Sequence, residues 1–543
     1  MDHRKARFVT TRIAASALVT VLTASSLTGC SVPAAEGTDV SAEAPAAVRA
    51  PEGGVLTLVS DDSAELALHA SQALFDHSPV VVLAGAGDAR DRMTAGATGE
   101  ALAAPVLLNG GVIDDAGLLK ELERLGAESI VVVGDEEEVS DATELAGGLD
   151  VVRFDPDAVN EAAEDAVESV NGGGKGASVG TGVDRKSSAV GAEITLPEAG
   201  MIDPTRLRSL RDQVPAVEEP DQLSEVMLLI DPADGQEAAI GTARAAGAVP
   251  LVVPGGDPGA RKDVISRLTT ADPLGVVAIG PGFTDSDRLA WQVDAARRGV
   301  TYPHGTQRLA GETYVAIPFT VPAGADPAET AAAAAEAHAV ADAYGGVPVV
   351  AVRASVKSPG PGEDGDYADP MPIEDLTAAV TALRKEGIVV LLDVVPGNLP
   401  LAGPLDRLEP LLSMPGVGVA LHPEFRVAGN GAEIEGQVAV TELQAVVDRV
   451  AGIVAEHGLP QTMVVVHQSR ASSVVDRGAL HPRPEVATVF AAAGPAHGMP
   501  TDGLVWSDVA SELPARTDAG WAGPPAGALP PSVPVQPLLI TVG

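Results

Sequence analysis

In the C-terminal half of the chain, polar side chains recur at one kind of place, the end of an apolar, β-branched run. Arg353 lies at the end of VPVVAVRA and Asp393 near the end of IVVLLDVV. His422 ends VGVALH, with Glu424 two residues on, and His467 and Gln468 end TMVVVHQ. Asp508 ends GLVWSD in the same way. Two carboxylates flanking a substrate can serve as acid and base in glycoside hydrolysis. Glu424 is the expected proton donor and Asp393 the second carboxylate. His467 can position substrate or carry a proton. Arg353 can hold a substrate carboxylate or orient Asp393, and His422 and Gln468 complete a substrate-binding rim. The structural alternatives are an Asp393 that only orders the turn into Val-Val-Pro-Gly, and a satisfied polar layer at His467 and Gln468. A metal held by His422, Glu424 and His467 is the weaker reading, since the chain has no HExxH and no Cys/His cluster. Neither a metal nor a cofactor is expected.

Such residues act together only if a frame gathers strand ends. Eight strand candidates run from Thr313 to Val542: Thr313–Phe319, Val347–Ala354, Ile388–Val395, Val417–His422, Thr462–Gln468, Glu485–Phe490, Gly503–Asp508 and Pro537–Val542. Helical patterns separate the early ones, at Pro327–Ala343, Ile373–Glu386, Leu405–Leu412 and Val440–His457. Eight strands over about 230 residues is the size of a (β/α)8 barrel, whose chemistry sits at the C-terminal strand ends. Residues 309–543 are therefore assigned to a barrel-like domain.

The preceding half has a different rhythm. Unbroken apolar runs bounded by glycine (VVVLAG, PVLLNG, SIVVVG) read as parallel strands covered on both faces. They return as VMLLI, PLVVPGG and GVVAIG about 145 residues later, the mark of an internal duplication. The fold class is α/β: two related open-sheet modules, 55–154 and 223–308, then the barrel. Residues 155–222, acidic and then glycine-rich, read as a linker region. Gly85-Ala86-Gly87 after a strand could admit a pyrophosphate. The third glycine of that fingerprint is misplaced, so a tight strand-to-helix turn is the better reading.

The stretch from Leu83 to Ser140 resembles the cell wall-binding repeat 2 module of Gram-positive surface proteins. Asp91 falls on the motif Asp, Gly96 on the following Gly, Ala104-Pro105-Val106-Leu107-Leu108 on the second strand, and Gly134-Asp135 with Val139-Ser140 on the ending. Ala89 and Arg90 replace the Phe and Pro of the motif turn, and in the second copy the Asp position falls on Gln236. The C-terminal half resembles the end region of actinobacterial lipoproteins that carry such repeats, through Leu392-Asp393-Val394-Val395-Pro396-Gly397, His422-Pro423-Glu424-Phe425 and His467-Gln468. His422 stands where that pattern has Asp. The resemblance implies binding of a cell wall glycopolymer and names no reaction. Arg90, Arg92, Arg244, Arg261 and Lys262 are the local cations that could serve it.

The N-terminus sets the location. Arg4, Lys5, Arg7 and Arg12 precede an apolar stretch from Ile13, too short to be read as a membrane span. Leu27-Thr28-Gly29-Cys30 follows and resembles a bacterial lipobox. Residues 1–29 read as a lipoprotein signal peptide, Cys30 (the single cysteine) as the lipidated residue, and 30–54 as a flexible tether. The expected place is the extracytoplasmic face of the membrane, in the cell envelope. Lys and Arg number 35 against 75 Asp and Glu, a net charge of -40, which argues against nucleic acid as partner. The sequence does not fix the oligomeric state.

Overall fold

The computed structural model describes residues 46–51, 54–134, 148–155, 195–215, 222–302, 304–362, 365–430, 438–492, 503–523 and 536–542. The signal segment, Cys30, most of the tether and residues 156–194 lie outside them. Among the described residues, no helix is long and apolar enough to cross a membrane.

The first half contains β1 (Val55–Leu58), α1 (Ser63–Leu74), β2 (Val80–Gly85), α2 (Ala89–Leu102), β3 (Val106–Asn109), α3 (Asp115–Leu125), β4 (Ser129–Val133) and β5 (Asp150–Phe154). After α4 (Pro204–Arg211) come β6 (Val226–Ile230), α5 (Glu237–Ala245), β7 (Val249–Val252), α6 (Lys262–Ala271), β8 (Gly275–Ile279) and α7 (Ser286–Arg298). Two four-stranded parallel sheets result, ordered β3-β2-β4-β5 and β7-β6-β8-β1. Three positions of the order correspond at the sequence offset. The fourth does not. Val55–Leu58, expected in the 55–154 module, pairs instead with β8 of the other sheet, Val55 opposite Val276. After β8 the chain turns into α7 and leaves for the barrel, so the edge of β8 is filled by the strand arriving from the N-terminus.

This exchange ties the two sheets into one core. Leu66, Leu83 and Leu107 share a buried cluster with Leu228, Ile240 and Val277. Each such side chain contributes roughly 1.5–3 kcal/mol when fully buried. Helix α2 is started by Asp88, whose carboxylate accepts from the Arg90 and Asp91 amides. It crosses α5 at Gly96 and Gly241. A β-carbon on Gly96 would lie 2.7 Å from the Glu237 carbonyl, and one on Gly241 would overlap the Gly96 backbone. Arg92 pairs across the crossing with Glu237 at 2.9 Å, and Arg244 with Glu100 at 2.8 Å.

Part of the expected linker is folded. Ile202 and Leu210 are buried against the first sheet's core. Arg211 donates to the Ala101 carbonyl, and the Ala199 amide donates to Glu100. Residues 195–215 thus pack on the C-terminal half of α2.

Helix α7 leads out of the second sheet with two apolar faces. Leu289 and Val293 pack on that sheet, while Trp291 and Ala295 join the outer layer of the next domain. That domain is a closed, eight-stranded barrel. Its elements are β9 (Tyr314–Phe319), α8 (Pro327–Tyr344), β10 (Val347–Arg353), α9 (Ile373–Lys385), β11 (Val389–Val394), α10 (Leu405–Leu412), β12 (Val417–Leu421), α11 (Val440–His457), β13 (Thr462–Gln468), β14 (Val486–Ala492), α12 (Gly503–Ala510), β15 (Asp518–Gly523) and β16 (Leu539–Val542). β16 closes on β9, and every neighbouring pair is parallel.

Gly503–Asp508, expected as the seventh strand, is helical. Trp506, Val509 and Ala510 are buried together on the barrel's outer side, and their i, i+3, i+4 spacing is that of one helix face. The seventh strand is Asp518–Gly523. Asp508 therefore lies on a helix, where its carboxylate accepts from the Ala471 amide.

Side-chain alternation divides each barrel strand between two cores. Val350, Val352, Val390, Leu392, Val419, Val464 and Val466 face the helices. Val349, Val389, Leu391, Ala420, Met463 and Val465 fill the interior, with Tyr302, Leu309 and Tyr314 in the same cluster. The barrel is a packed core rather than a pore.

Candidate ligand site at the barrel mouth

The inward parity of four strands decides what meets at the mouth. Arg353 follows Val349 and Ala351, Asp393 follows Leu391, His422 follows Ala420, and His467 follows Val465. All four continue the interior rows at the C-terminal strand ends. Arg353 and Asp393 are direct neighbours in the β10–β11 register.

His422 is the centre of the group. It is 2 % exposed. Its Nε2 lies 2.6 Å from Asp393 Oδ1, and its Nδ1 lies 2.7 Å from Glu424 Oε1. Its ring stacks on His467 at 4.2 Å between centroids, 5° from parallel, and on Phe425 at 5.2 Å. Burial alone would lower the His422 pKa. The Asp393 and Glu424 charges and their hydrogen bonds outweigh burial and raise it to about 10. The ring is an imidazolium at neutral pH, shared by two carboxylates.

A cavity of about 230 Å³ opens here, lined by Arg353, Lys357, Asp393, His422, Val356 and Phe425 among others. Ser355 braces its wall: its hydroxyl donates to the Val395 carbonyl at 3.0 Å and accepts from the Val395 amide at 2.9 Å. A short antiparallel hairpin, Ser355–Lys357 with Ala368–Pro370, extends strand β10 beyond the barrel. Arg353 is half-buried as a residue and makes no hydrogen bond or ion pair with a described residue. Among the described residues, no group of three His, Cys, Asp or Glu side chains could hold a metal ion.

Two expectations need correction. Gln468, expected on the substrate rim, has the opposite parity from His467 and is completely buried. Its amide donates to the Ala471 carbonyl and its oxygen accepts from Arg477. It fastens the loop after β13 and cannot reach the cavity. Glu424, expected to face Asp393 across an open cleft, is hydrogen-bonded to His422 and does not line the cavity. The imidazole occupies the space between the two carboxylates where a glycosidic bond would have to lie. What the sequence reading missed is that the His standing in the place of an acid would bridge the other two. No strand pattern carries that signal, because Glu424 lies beyond the strand end on the turn Pro423–Phe425.

The motif residues of the first sheet meet one another rather than a cavity. Gly134 has φ +109°, and a β-carbon there would overlap the Asp91 carboxylate. Gly280 holds the corresponding place in the second sheet, with φ +135° and Asp231 pressed against it. Asp231 accepts from the Gly255 amide at 2.7 Å and the Gly282 amide at 2.8 Å. The acid absent at Gln236 is thus supplied five residues earlier, from the end of β6. Gln236 itself donates to the Asp231 carbonyl. Gly96 is the crossing point of α2 and α5. Of the five local cations, Arg92 and Arg244 are taken up in pairs across that crossing, and Arg261 pairs on the surface with Asp263 at 2.9 Å.

No family model matches this chain, and no curated protein matches it. Among solved structures it is similar to Cwp6 from Clostridium difficile, with 15% identity and a TM-score of 0.30, covering 78% of this chain and 64% of that one. It is also similar to Cwp8 from Clostridium difficile, with 14% identity and a TM-score of 0.19, covering 74% of this chain and 52% of that one. The chain spans about two thirds or less of the length of each, and likeness at these values carries no argument about activity.

Proposed function

We propose that this chain is a lipid-anchored protein of the cell envelope, held by Cys30 at the extracytoplasmic face of the membrane. Its paired sheets bind a cell wall glycopolymer, and its barrel recognises a ligand without cleaving it. The observation that carries the barrel half of the reading is His422, seated between Asp393 and Glu424. Inverting and retaining glycosidases leave room between their carboxyl groups for the scissile bond and a water, or for the sugar alone. Here that room holds a charged ring, and only one of the two carboxylates reaches the cavity. The wall-binding half is supported by the lipobox-like Leu27–Cys30, by the resemblance of Leu83–Ser140, and by two parallel sheets whose strand orders correspond in three places.

The test uses the full chain in detergent on purified wall fractions, with retained protein and released reducing ends measured together. Retention without release is the expected result. Release that disappears in Glu424→Gln would establish the hydrolase instead, and failure to be retained at low salt would remove the wall-binding reading.

A further inference from the structure

The barrel-mouth cavity has a charge count that specifies its occupant. His422 carries one positive charge between the two carboxylates of Asp393 and Glu424, a group that sums to one negative charge, and Arg353 and Lys357 bring two positive charges to the same cavity, so the mouth as a whole carries one positive charge. Arg353 reaches that cavity and makes no direct pair with a described residue. A guanidinium that lines a cavity and has no protein partner is open to an anion, and its planar fork matches a carboxylate through two parallel hydrogen bonds. Asp393 stands beside it in register, so a dianion such as a phosphate monoester would be repelled by the aspartate. The favoured charge is a single negative one.

The shape narrows the choice further. The cavity, about 230 Å³, is smaller than the roughly 300–1,000 Å³ pockets that take drug-sized ligands. Below it the interior is filled by Leu391, Ala420 and Val465, so nothing can thread through. A phosphodiester, which continues on both sides of its charge, does not fit such a dead end, whereas a terminal carboxylate does. Asp393 can accept from a hydroxyl of the same ligand, and Phe425 and Val356 offer an apolar wall to its carbon face.

We propose that this cavity binds a single carboxylate-bearing sugar unit, with the carboxylate on Arg353 and a hydroxyl on Asp393. The proposal rests on the reading of the barrel as a recognition domain. It goes beyond it by naming the ligand's chemical class and the residue that selects it.

Calorimetric titration of the detergent-solubilised full chain with glucuronate, galacturonate and N-acetylmuramate tests it. At least one of the three should bind saturably, and glucose should not. Arg353→Gln should weaken binding by about 10- to 100-fold, the worth of a charge-assisted hydrogen bond, and Arg353→Lys should recover part of it. Thermal unfolding reports whether Arg353→Gln folds. If it does not, the comparison of each sugar acid with glucose on the unsubstituted chain decides. Binding by none of the three sugar acids overturns the proposal. So does equal or tighter binding of glucose 6-phosphate or of alanyl-alanine, or an Arg353→Gln protein that folds and binds unchanged. Retention on wall fractions is measured on the same preparation. A chain that is retained but ignores sugar acids loses this proposal alone. One that binds a sugar acid but is not retained loses only the wall-binding role of the sheets.

Discussion

The α2–α5 crossing and the barrel mouth both collect charged side chains at the ends of apolar elements, and they use them differently. At the crossing, Arg92 meets Glu237, Arg244 meets Glu100, and two glycines let the backbones touch. Every charge named there is cancelled inside the fold. At the mouth, one imidazolium is shared by two carboxylates and one guanidinium pairs directly with no described residue. Residue type and position at an element's end are the same in both places. What separates packing from a site is whether the charge is left for something else to complete.

The largest break in that comparison should come from His422. Asp393 and Glu424 have side chains only 5 % and 14 % exposed. His422→Leu would leave both carboxylates without their cation, and removing one partner of a buried pair costs about 3–5 kcal/mol. Urea unfolding measures it. A loss below about 1 kcal/mol would mean that the mouth is no more self-consistent than a surface pair.

The crossing should respond to shape. Gly241→Val forces a branched side chain into the Gly96 backbone, with an expected loss of about 1–3 kcal/mol from overpacking. Gly452 lies in helix α11 with nothing within 4 Å of a β-carbon. Gly452→Ala should stabilise the chain by about 0.5–1 kcal/mol, because alanine loses less backbone freedom in a helix. If both substitutions move unfolding the same way, the close approach at Gly96 is not a constraint.

Much of this was legible in the sequence, for physical reasons that also mark where legibility ends. Apolar, β-branched runs such as VVVLAG and VMLLI announce buried parallel strands, and their constant offset carries the shared strand order. The partner of VLTL at 55–58 is not written in VLTL. Any exposed parallel edge could accept it, and only the departure of α7 leaves the edge of β8 for it. The barrel was legible from its first six strands. The seventh was misplaced because Trp506, Val509 and Ala510 form a helix face within a short apolar run, whereas Asp518–Gly523 is built from Asp, Gly, Ala and one Trp and lacks β-branched residues. At the mouth, strand-end position found Arg353, Asp393, His422 and His467. Period-two alternation applied one residue further would have turned Gln468 outward. The bridge from His422 to both carboxylates needs Glu424 to fold back on a single turn of 3-10 helix, Pro423–Phe425, and no strand pattern encodes that.

The mouth should also give the chain a pH signature. The folded pKa of His422, about 10, stands above the ordinary histidine value of about 6.5. A raised pKa stabilises the fold fully below the unfolded value and loses that stabilisation as pH rises through the folded one. Between pH 7 and 9 the fold therefore holds a proton that the unfolded chain releases, worth a slope of about 1.4 kcal/mol per pH unit. The groups facing the ring are Asp393, Glu424, His467 and Phe425. Urea midpoints of the unsubstituted chain and of His422→Gln at pH 7, 8 and 9 isolate the contribution. His422→Gln should show the shallower fall, and parallel slopes would mean that the imidazolium is not held by the fold.

The smallest stability effect, and the sharpest use of the comparison, is on the surface of the second sheet. Arg92 and Arg244 are committed to the crossing, so they are poor candidates for touching a polymer. Arg261 and Lys262, at the start of α6, are exposed, and the Arg261–Asp263 pair is the kind of surface contact worth about 0–1 kcal/mol. Arg261→Gln with Lys262→Gln should therefore leave urea unfolding within about 0.5 kcal/mol of the unsubstituted chain. If local cations overcome a net charge of -40 to hold an anionic wall polymer, the double variant should elute from wall fractions at lower salt, because each lost contact reduces the electrostatic share of binding. An unchanged elution point would assign retention to uncharged contacts of the sheets and leave the exposed cations as a solvated face.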